Sequence, residues 1–353
     1  MNGEVIEFQR LRDRLHVVHG RVDPSPPTVY SIMRNERFFL EAFLDHYRRL
    51  GAGQFLILDD GSTDGSVDYL RAQPDCVLLR CELQFGQQIR VRMPDGRCIE
   101  ERAGMLYKRV IGDTYCRGRY AIYVDADEFL VLPPAVPDIP QLFERLKKDS
   151  IDAVVASLVE FYPRTARELL GDAEPRSFED LVELYGWFDA IPLVRFRPGL
   201  APARINASAS ARLFERYGLT RPVSGTGLSR ILGRLRRAPP GKSATLKTPI
   251  VRWSDEVWME GSHRSNVRPS ADVLLALAHF KFTHKLAQKT EEALRLRSYA
   301  GGSEKYELYS SLMARMLQDD AGFCGPQSHR YTCAADLEDA GLLAWQLPER
   351  FGR

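Results

Sequence analysis

The 353-residue chain has no Cys-x-x-Cys pair: its six cysteines (76, 81, 98, 116, 324, 333) are scattered and form no dense framework. That argues against a zinc site and a disulfide scaffold, and it reads as free thiols in a reducing compartment. No stretch approaches the ~20 consecutive apolar residues of a membrane span. The first residues, Met1–Glu7, lack a basic region followed by an apolar core, so no signal peptide is expected there and the expected location is the cytoplasm. Charge of neither sign dominates: 49 Lys and Arg face 47 Asp and Glu, a net +2, so nothing drives the chain globally towards nucleic acid. There is no internal repeat. What remains is an ordinary globular composition, 44% hydrophobic and 27% charged, and a length that suits one large domain with additions.

The most informative stretch is Tyr120–Leu130. Its apolar first half reads as a buried strand, and it ends in Asp125, Asp127 and Glu128. Carboxylates at the end of a buried strand are costly to desolvate without a compensating charge, and a divalent cation is one natural compensator. Apolar Phe129–Leu132 follows at once, which places the acids inside the protein. An acidic turn is the plainer alternative.

Two further segments precede it. Thr28–Met33 reads as a first strand, followed by Arg34-Asn35-Glu36 and a helix that places Phe39, Phe43, Tyr47 and Leu50 on one face. Asn35 is the expected cap and Gly51 the expected stop. Gln54–Leu58 reads as a second strand running into Asp59-Asp60-Gly61-Ser62-Thr63-Asp64. Strand, helix and strand in this order predict a βαβ unit whose ligand site lies at the carboxyl ends of the strands. The Asp60 loop is not an EF-hand, because the required bidentate glutamate would fall at Arg71. It reads as a turn with a helix cap, as a nucleotide pocket, or as both.

Together Tyr30–Glu36, Leu58–Asp64 and Val124–Leu130 resemble the family 2 glycosyltransferases, and within them the branch with an Arg-Asn-Glu motif after the first strand. The resemblance covers about the first 135 residues. It implies a GT-A-like αβα sandwich with a mostly parallel central sheet, plus C-terminal helices. It divides the chain into an N-terminal extension (1–27), a glycosyltransferase domain (28–285, with a nucleotide-sugar half 28–135 and an acceptor half 136–285) and a C-terminal helical region (286–353). It further implies transfer from a nucleotide sugar, UDP-linked by preference, to a hydroxyl of a glycan or lipid-linked acceptor with inversion, and dependence on Mn²⁺ or Mg²⁺.

Residue by residue, the resemblance gives Asp59 and Asp60 to the nucleoside, and Thr28, Tyr30, Arg34 and Glu36 to its surroundings. Asp125 and Asp127, with Ala126 between them, become the motif that holds metal and diphosphate; His279, or else His263, would complete the metal site. Lys247 and Lys281 are candidate phosphate clamps. Glu160, Asp189 and Asp255 are the acids from which the base is expected. Arg102, Lys108 and Arg109, on one helix, could reach a diphosphate, but basic residues on a helix read first as solvated. Tyr185, Trp187 and Phe188 read as core before they read as a sugar platform.

One departure stands out. Where related chains carry a Gly-Gly-x-Arg-like stretch, this one has Asn206–Arg212 without the glycines, which leaves open a degenerate nucleotide-sugar or glycan-binding protein. Nucleotidyl transfer is the other competing class, disfavoured by the lack of a Gly-rich phosphate loop; Gly241-Lys242-Ser243 lacks its partner glycine. The basic run Arg230–Arg237 reads as a surface for an anionic acceptor or a membrane face. Two helices joined at Gly301–Ser303 are expected to close over the crevice or to mediate self-association.

Overall fold

The computed structural model describes residues 5–197, 200–205, 207–219, 221–222, 237–238, 244–261, 263–296, 304–319 and 322–345. Asn206, Gly241–Ser243, Gly301–Ser303 and all of the basic run except Arg237 lie outside the described residues. The protein is α/β, built on one ten-stranded mixed sheet. In chain order its strands are β1 (Leu15–His19), β2 (Thr28–Met33), β3 (Gln54–Asp59), β4 (Cys76–Cys81), β5 (Tyr120–Tyr123), β6 (Glu128–Val131), β7 (Ala153–Glu160), β8 (Leu246–Arg252), β9 (Val273–His279) and β10 (Ala344–Trp345). Their spatial order is β10-β9-β7-β8-β5-β2-β3-β4-β1, and β6 also pairs with β9.

The helices are α1 (Arg37–Arg49), α2 (Ser66–Arg71), α3 (Ala103–Tyr115), α4 (Ile139–Lys148), α5 (Phe178–Tyr185), α6 (Ala209–Arg216), α7 (Leu286–Leu296), α8 (Glu304–Gln318) and α9 (Ala334–Asp339). Period-2 strands between two helical layers bury both faces. Phe55 and Ile57 of β3 pack on the side of α1, α4 and α5, while Leu56 and Leu58 pack on the side of α3. Each such side chain removed from water contributes about 1.5–3 kcal/mol, which is why these strands read as nearly continuous apolar runs. No helix among the described residues is long and apolar enough to cross a membrane.

Strand direction places the site. β2, β3, β4 and β5 are mutually parallel, and β7 is parallel to β9. Antiparallel β8 joins the two groups, so all six strands still point the same way. Their last residues, Met33, Asp59, Cys81, Tyr123, Glu160 and His279, therefore share one edge of the sheet. The first residues of the opposed strands β8 and β6, Leu246 and Glu128, meet them there.

Several expectations shift in detail. Of the N-terminal extension expected over 1–27, residues 5–27 are built into the fold: β1 is an edge strand of the main sheet, and Val5–Glu7 pairs with the hairpin Gln88–Arg92/Cys98–Arg102. The C-terminal region is likewise woven in, since β10 pairs with β9 and Ser328–Arg330 pairs with Trp187–Asp189. Asn35 does not cap α1. It takes a left-handed backbone (φ 54°), and the Arg37 N–H donates instead to Asp64 Oδ2, 2.9 Å away. Gly51 ends the chain's run out of α1 as expected, with φ 90°. Tyr185 and Phe188 are core residues.

Candidate functional site

The turn after β5 is built by its own acids. Asp125 N–H donates to Glu128 Oε2 at 2.9 Å, closing the Asp125–Glu128 turn. Tyr123 donates its hydroxyl to Asp125 Oδ1 at 2.6 Å. Lys247, wholly buried at the start of β8, reaches up from beneath to Asp125 Oδ2 at 3.1 Å and makes a close contact with Glu128. Lys108 of α3 stands 4.0 Å from Asp125 and lies over the Tyr123 ring. Burial opposes the charge on Asp125, but Lys247 and Lys108 outweigh it and hold its carboxyl well below the usual carboxylate range. Burial brings Lys108 down to about 8, against the pull of Asp125. Asp125 is the open one of the group, with 42% of its side chain accessible, while Glu128 keeps 3%.

The Asp59–Asp64 loop and the Arg-Asn-Glu motif interlock. Asp59 accepts from the N–H groups of Gly61 and Ser62 and so folds its own turn. Asp60 Oδ1 accepts from the Phe85 N–H at 2.7 Å. Burial raises the Asp60 carboxyl, against the lowering effect of the Phe85 N–H and Arg34. Arg34 Nη1 donates to the Asp60 carbonyl at 2.8 Å, and Asn35 Oδ1 accepts from the Thr63 N–H at 2.8 Å. Half-buried Phe85, beside Asp60, also faces Arg102 and Lys108. Its ring packs so closely on Gly104 that a Cβ there would lie 2.0 Å from a ring carbon.

Helix α7 closes the other side. Lys289 Nζ donates to Glu36 Oε1 at 2.9 Å and to Asp127 Oδ2 at 3.0 Å. One turn on, Glu292 accepts from Arg34 Nε at 3.1 Å and from Asn35 Nδ2 at 2.7 Å. Between α7 and the start of α1 lies a cavity of about 420 Å³, reached by Asp127, Glu36, Lys281, Lys289, Arg34 and Phe280. Burial, with Asp127 and Asp125 adding to it, raises Glu36 to about 7 in spite of Lys289. Burial opposes the charge on Asp127 as well, yet Lys289 and His279 bring it below its usual range.

The donors were expected to hold a divalent cation, and their arrangement does not fit one. Among the described residues no three His, Cys, Asp or Glu side chains converge as a ligand group. His279 Nε2 stands 3.6 Å from Asp127 Oδ2, but that oxygen is also taken by Lys289. Both oxygens of Asp125 are engaged, by Tyr123 and Lys247. His279 Nδ1 is buried without a hydrogen-bond partner, whereas a ligating imidazole is usually oriented through its second nitrogen. His263 is exposed beside β8, with Nδ1 2.9 Å from the Leu246 carbonyl.

The remaining predicted residues divide by position. Glu160 ends β7 at the right edge but is fully committed: Ser210 N–H and Oγ, both at 2.6 Å, and Lys281 at 3.1 Å bind its two oxygens. Lys281 thus clamps a carboxylate, although its side chain also borders the cavity. Asp189 is buried and held bidentately by Arg212 at 2.9 and 2.8 Å, and by Tyr162. The stretch that lacks the glycines therefore has work of its own: Ser208 caps α6, and Ser210 and Arg212 on that helix satisfy Glu160 and Asp189.

Asp255 follows the far end of β8, at the opposite edge of the sheet, where it pairs with Arg117. Thr28 opens β2 at that same far edge and bonds Gln54 and Arg119. Tyr30 is fully buried with its hydroxyl on Met259 Sδ. The expectation that these two line a nucleoside pocket is corrected by strand direction, because β2 delivers Met33 and Arg34 to the site. Ala126 packs in the core.

Lys108, read as solvated, is buried instead, and it carried a signal: it lies three and four positions before Ile111 and Gly112 on the buried side of α3. Two other residues escaped the sequence reading. Phe85 sits in a polar loop, and Lys289 comes from a distant helix; nothing local marks either. No protein-family model matches the chain, and no curated protein matches it.

Proposed function

We propose that this protein is a glycosyltransferase that moves a sugar from a nucleotide sugar, UDP-linked by preference, to a hydroxyl of a glycan or lipid-linked acceptor, with a GT-A-like arrangement of the sheet. One observation carries the reading: the three motifs that prompted the resemblance meet at a single sheet edge, two bonded directly and the third linked through Lys289. Arg34 and Asn35 bind the Asp59–Asp64 loop, and Glu36 shares Lys289 with Asp127. In a parallel sheet this is the edge where ligands bind.

The chemistry asked of the site is a single displacement. The acceptor oxygen passes its proton to solvent water in the cavity and bonds to the anomeric carbon; the bond from that carbon to the diphosphate oxygen breaks, and its electron pair leaves with the nucleoside diphosphate. What the protein must supply is a place for the nucleoside and positive charge for the leaving group. Asp60 and the Phe85 ring suit the nucleoside, one as a hydrogen-bond acceptor and the other as an apolar wall. Lys108, Lys247 and Lys289 bring three ammonium groups within 4.0 Å of Asp125 or Asp127, and these favour negative charge developing beside them. The cavity between α1 and α7 opens next to Asp127 and suits the acceptor.

Incubation with a panel of nucleotide sugars and chromatography of the products tests the reading. Release of a nucleoside diphosphate from one donor, lost in Asp125→Asn, is expected. Release of pyrophosphate would point to nucleotidyl transfer, and binding without any release would point to a glycan- or nucleotide-sugar-binding protein.

A further inference from the structure

A diphosphate leaving group carries charge that has to be balanced, and a divalent ion on free carboxylates is the usual way to balance it. Here the carboxylates are not free. Lys289 Nζ sits between Glu36 Oε1 (2.9 Å) and Asp127 Oδ2 (3.0 Å), with His279 Nε2 3.6 Å from that same Asp127 oxygen. Carboxylate oxygens suit Mg²⁺ or Mn²⁺. What these two carboxylates share is an ammonium group. Lys247 does the same one step away, bridging Asp125 and Glu128.

We propose that Lys289 is a built-in cation: its ammonium group takes the position between Asp127 and Glu36 that a divalent ion would occupy, so the site binds a nucleoside diphosphate without metal. This rests on the reading of the crevice as a nucleotide-sugar site. A tethered lysine carries one charge where the ion carries two; Lys108 and Lys247 stand in the same crevice beside Asp125. Lys289 arrives on α7, which Glu292 fastens to Arg34 and Asn35, so the cation and the lid over the site are delivered by one helix. The expected division of labour is clear: Lys289 is a positioning and binding group, and Asp127 and Glu36 serve to hold it.

Two measurements on the full chain test this. The first is the thermal shift given by uridine, guanosine, adenosine and cytidine diphosphates in EDTA and in Mn²⁺. The second is Mn²⁺ binding alone, followed by electron paramagnetic resonance, for the wild type, Lys289→Met and Lys289→Met/Asp127→Asn. The expected result is a wild-type shift with one diphosphate that EDTA leaves intact, and no Mn²⁺ held by the wild type at low micromolar concentration. Lys289→Met should lose at least tenfold in diphosphate affinity in EDTA, bind one Mn²⁺, and lose that ion again when Asp127→Asn is added. A wild-type shift that requires Mn²⁺, or Mn²⁺ held by the wild type and lost in Asp127→Asn, overturns the proposal. A shift with no nucleotide under any condition sinks the functional reading instead, and the resonance experiment still decides whether Lys289 stands in for an ion. Lys289→Arg, which keeps the charge and should retain the EDTA-resistant shift, separates loss of charge from loss of fold.

Discussion

At the scale of single residues, the site is a set of buried charges that each need a partner. Lys247 is the clearest case, with no accessible surface of its own and with Glu128 almost as enclosed. Removing one member of a buried pair leaves the other uncompensated. Lys247→Met is expected to cost on the order of 3 kcal/mol, nearly all of it through Glu128, because half-open Asp125 is screened by water. Urea denaturation reads the loss, and adding Glu128→Gln should restore most of it; a double variant as unstable as the single would refute the pairing. Gly104 makes a different demand. Since a Cβ at this position would meet the Phe85 ring at 2.0 Å, Gly104→Ala must displace that ring from beside Asp60. If Phe85 walls the nucleoside, Gly104→Ala should weaken nucleoside diphosphate binding about tenfold or more, roughly the worth of one base–aromatic contact. Unchanged affinity in a titration would remove Phe85 from the site. Neither Gly104 nor Phe85 is legible as functional in the sequence, because their relation is a contact between a loop and a helix start. Asp125 and Asp127 are legible because a buried strand that ends in acids is already anomalous as a pattern.

At the scale of elements, the strands and most helices follow from periodicity, while the caps and the tail contacts do not. The Asn35 position shows why. A strand end followed by Asn suggests a cap, but Asp64 arrives from a loop that is distant in sequence and takes the role, freeing Asn35 to bind Thr63 and Glu292. Helix α1 also meets β6 through a buried histidine, His46, whose ring nitrogen Nε2 lies 2.9 Å from the Leu130 carbonyl. Burial pushes its pKa down to about 4 from an ordinary 6.5. A histidine whose folded-state pKa is depressed stabilises the fold in full above the unfolded pKa, and that stability is lost as pH falls through both values. The loss is therefore expected between pH 6.5 and about 4, and a shift of this size amounts to on the order of 3 kcal/mol. His46→Gln keeps an N–H for Leu130 but cannot titrate, so its melting temperature should fall less steeply over that window. Parallel profiles for the two proteins would assign the acid sensitivity elsewhere.

At the scale of the whole molecule, the arrangement is one edge of one sheet. Strands β2, β3, β5, β7 and β9 deliver Arg34, Asp59 and Asp60, Asp125 and Asp127, Glu160 and His279 to it, and antiparallel β8 brings Lys247 up between them. The βαβ logic of the first half predicts this much from order alone. The second half resists such reading, because β8 reverses the sheet and the segments that complete it, α7 and β10, come from what reads as a tail. The position of Asp255 and Thr28 at the opposite edge is a consequence of direction that only the assembled sheet reveals. Binding of a nucleoside diphosphate at this edge is the central requirement, and isothermal titration tests it most directly. Uridine, guanosine, adenosine and cytidine diphosphates are titrated in turn into the full chain and into Asp60→Asn, Asp125→Asn and Asp255→Asn. The expected result is one saturable site for one of the four, weakened at least tenfold by Asp60→Asn and by Asp125→Asn and unchanged by Asp255→Asn. No binding of any of them, or binding indifferent to Asp60 and Asp125, would contradict it.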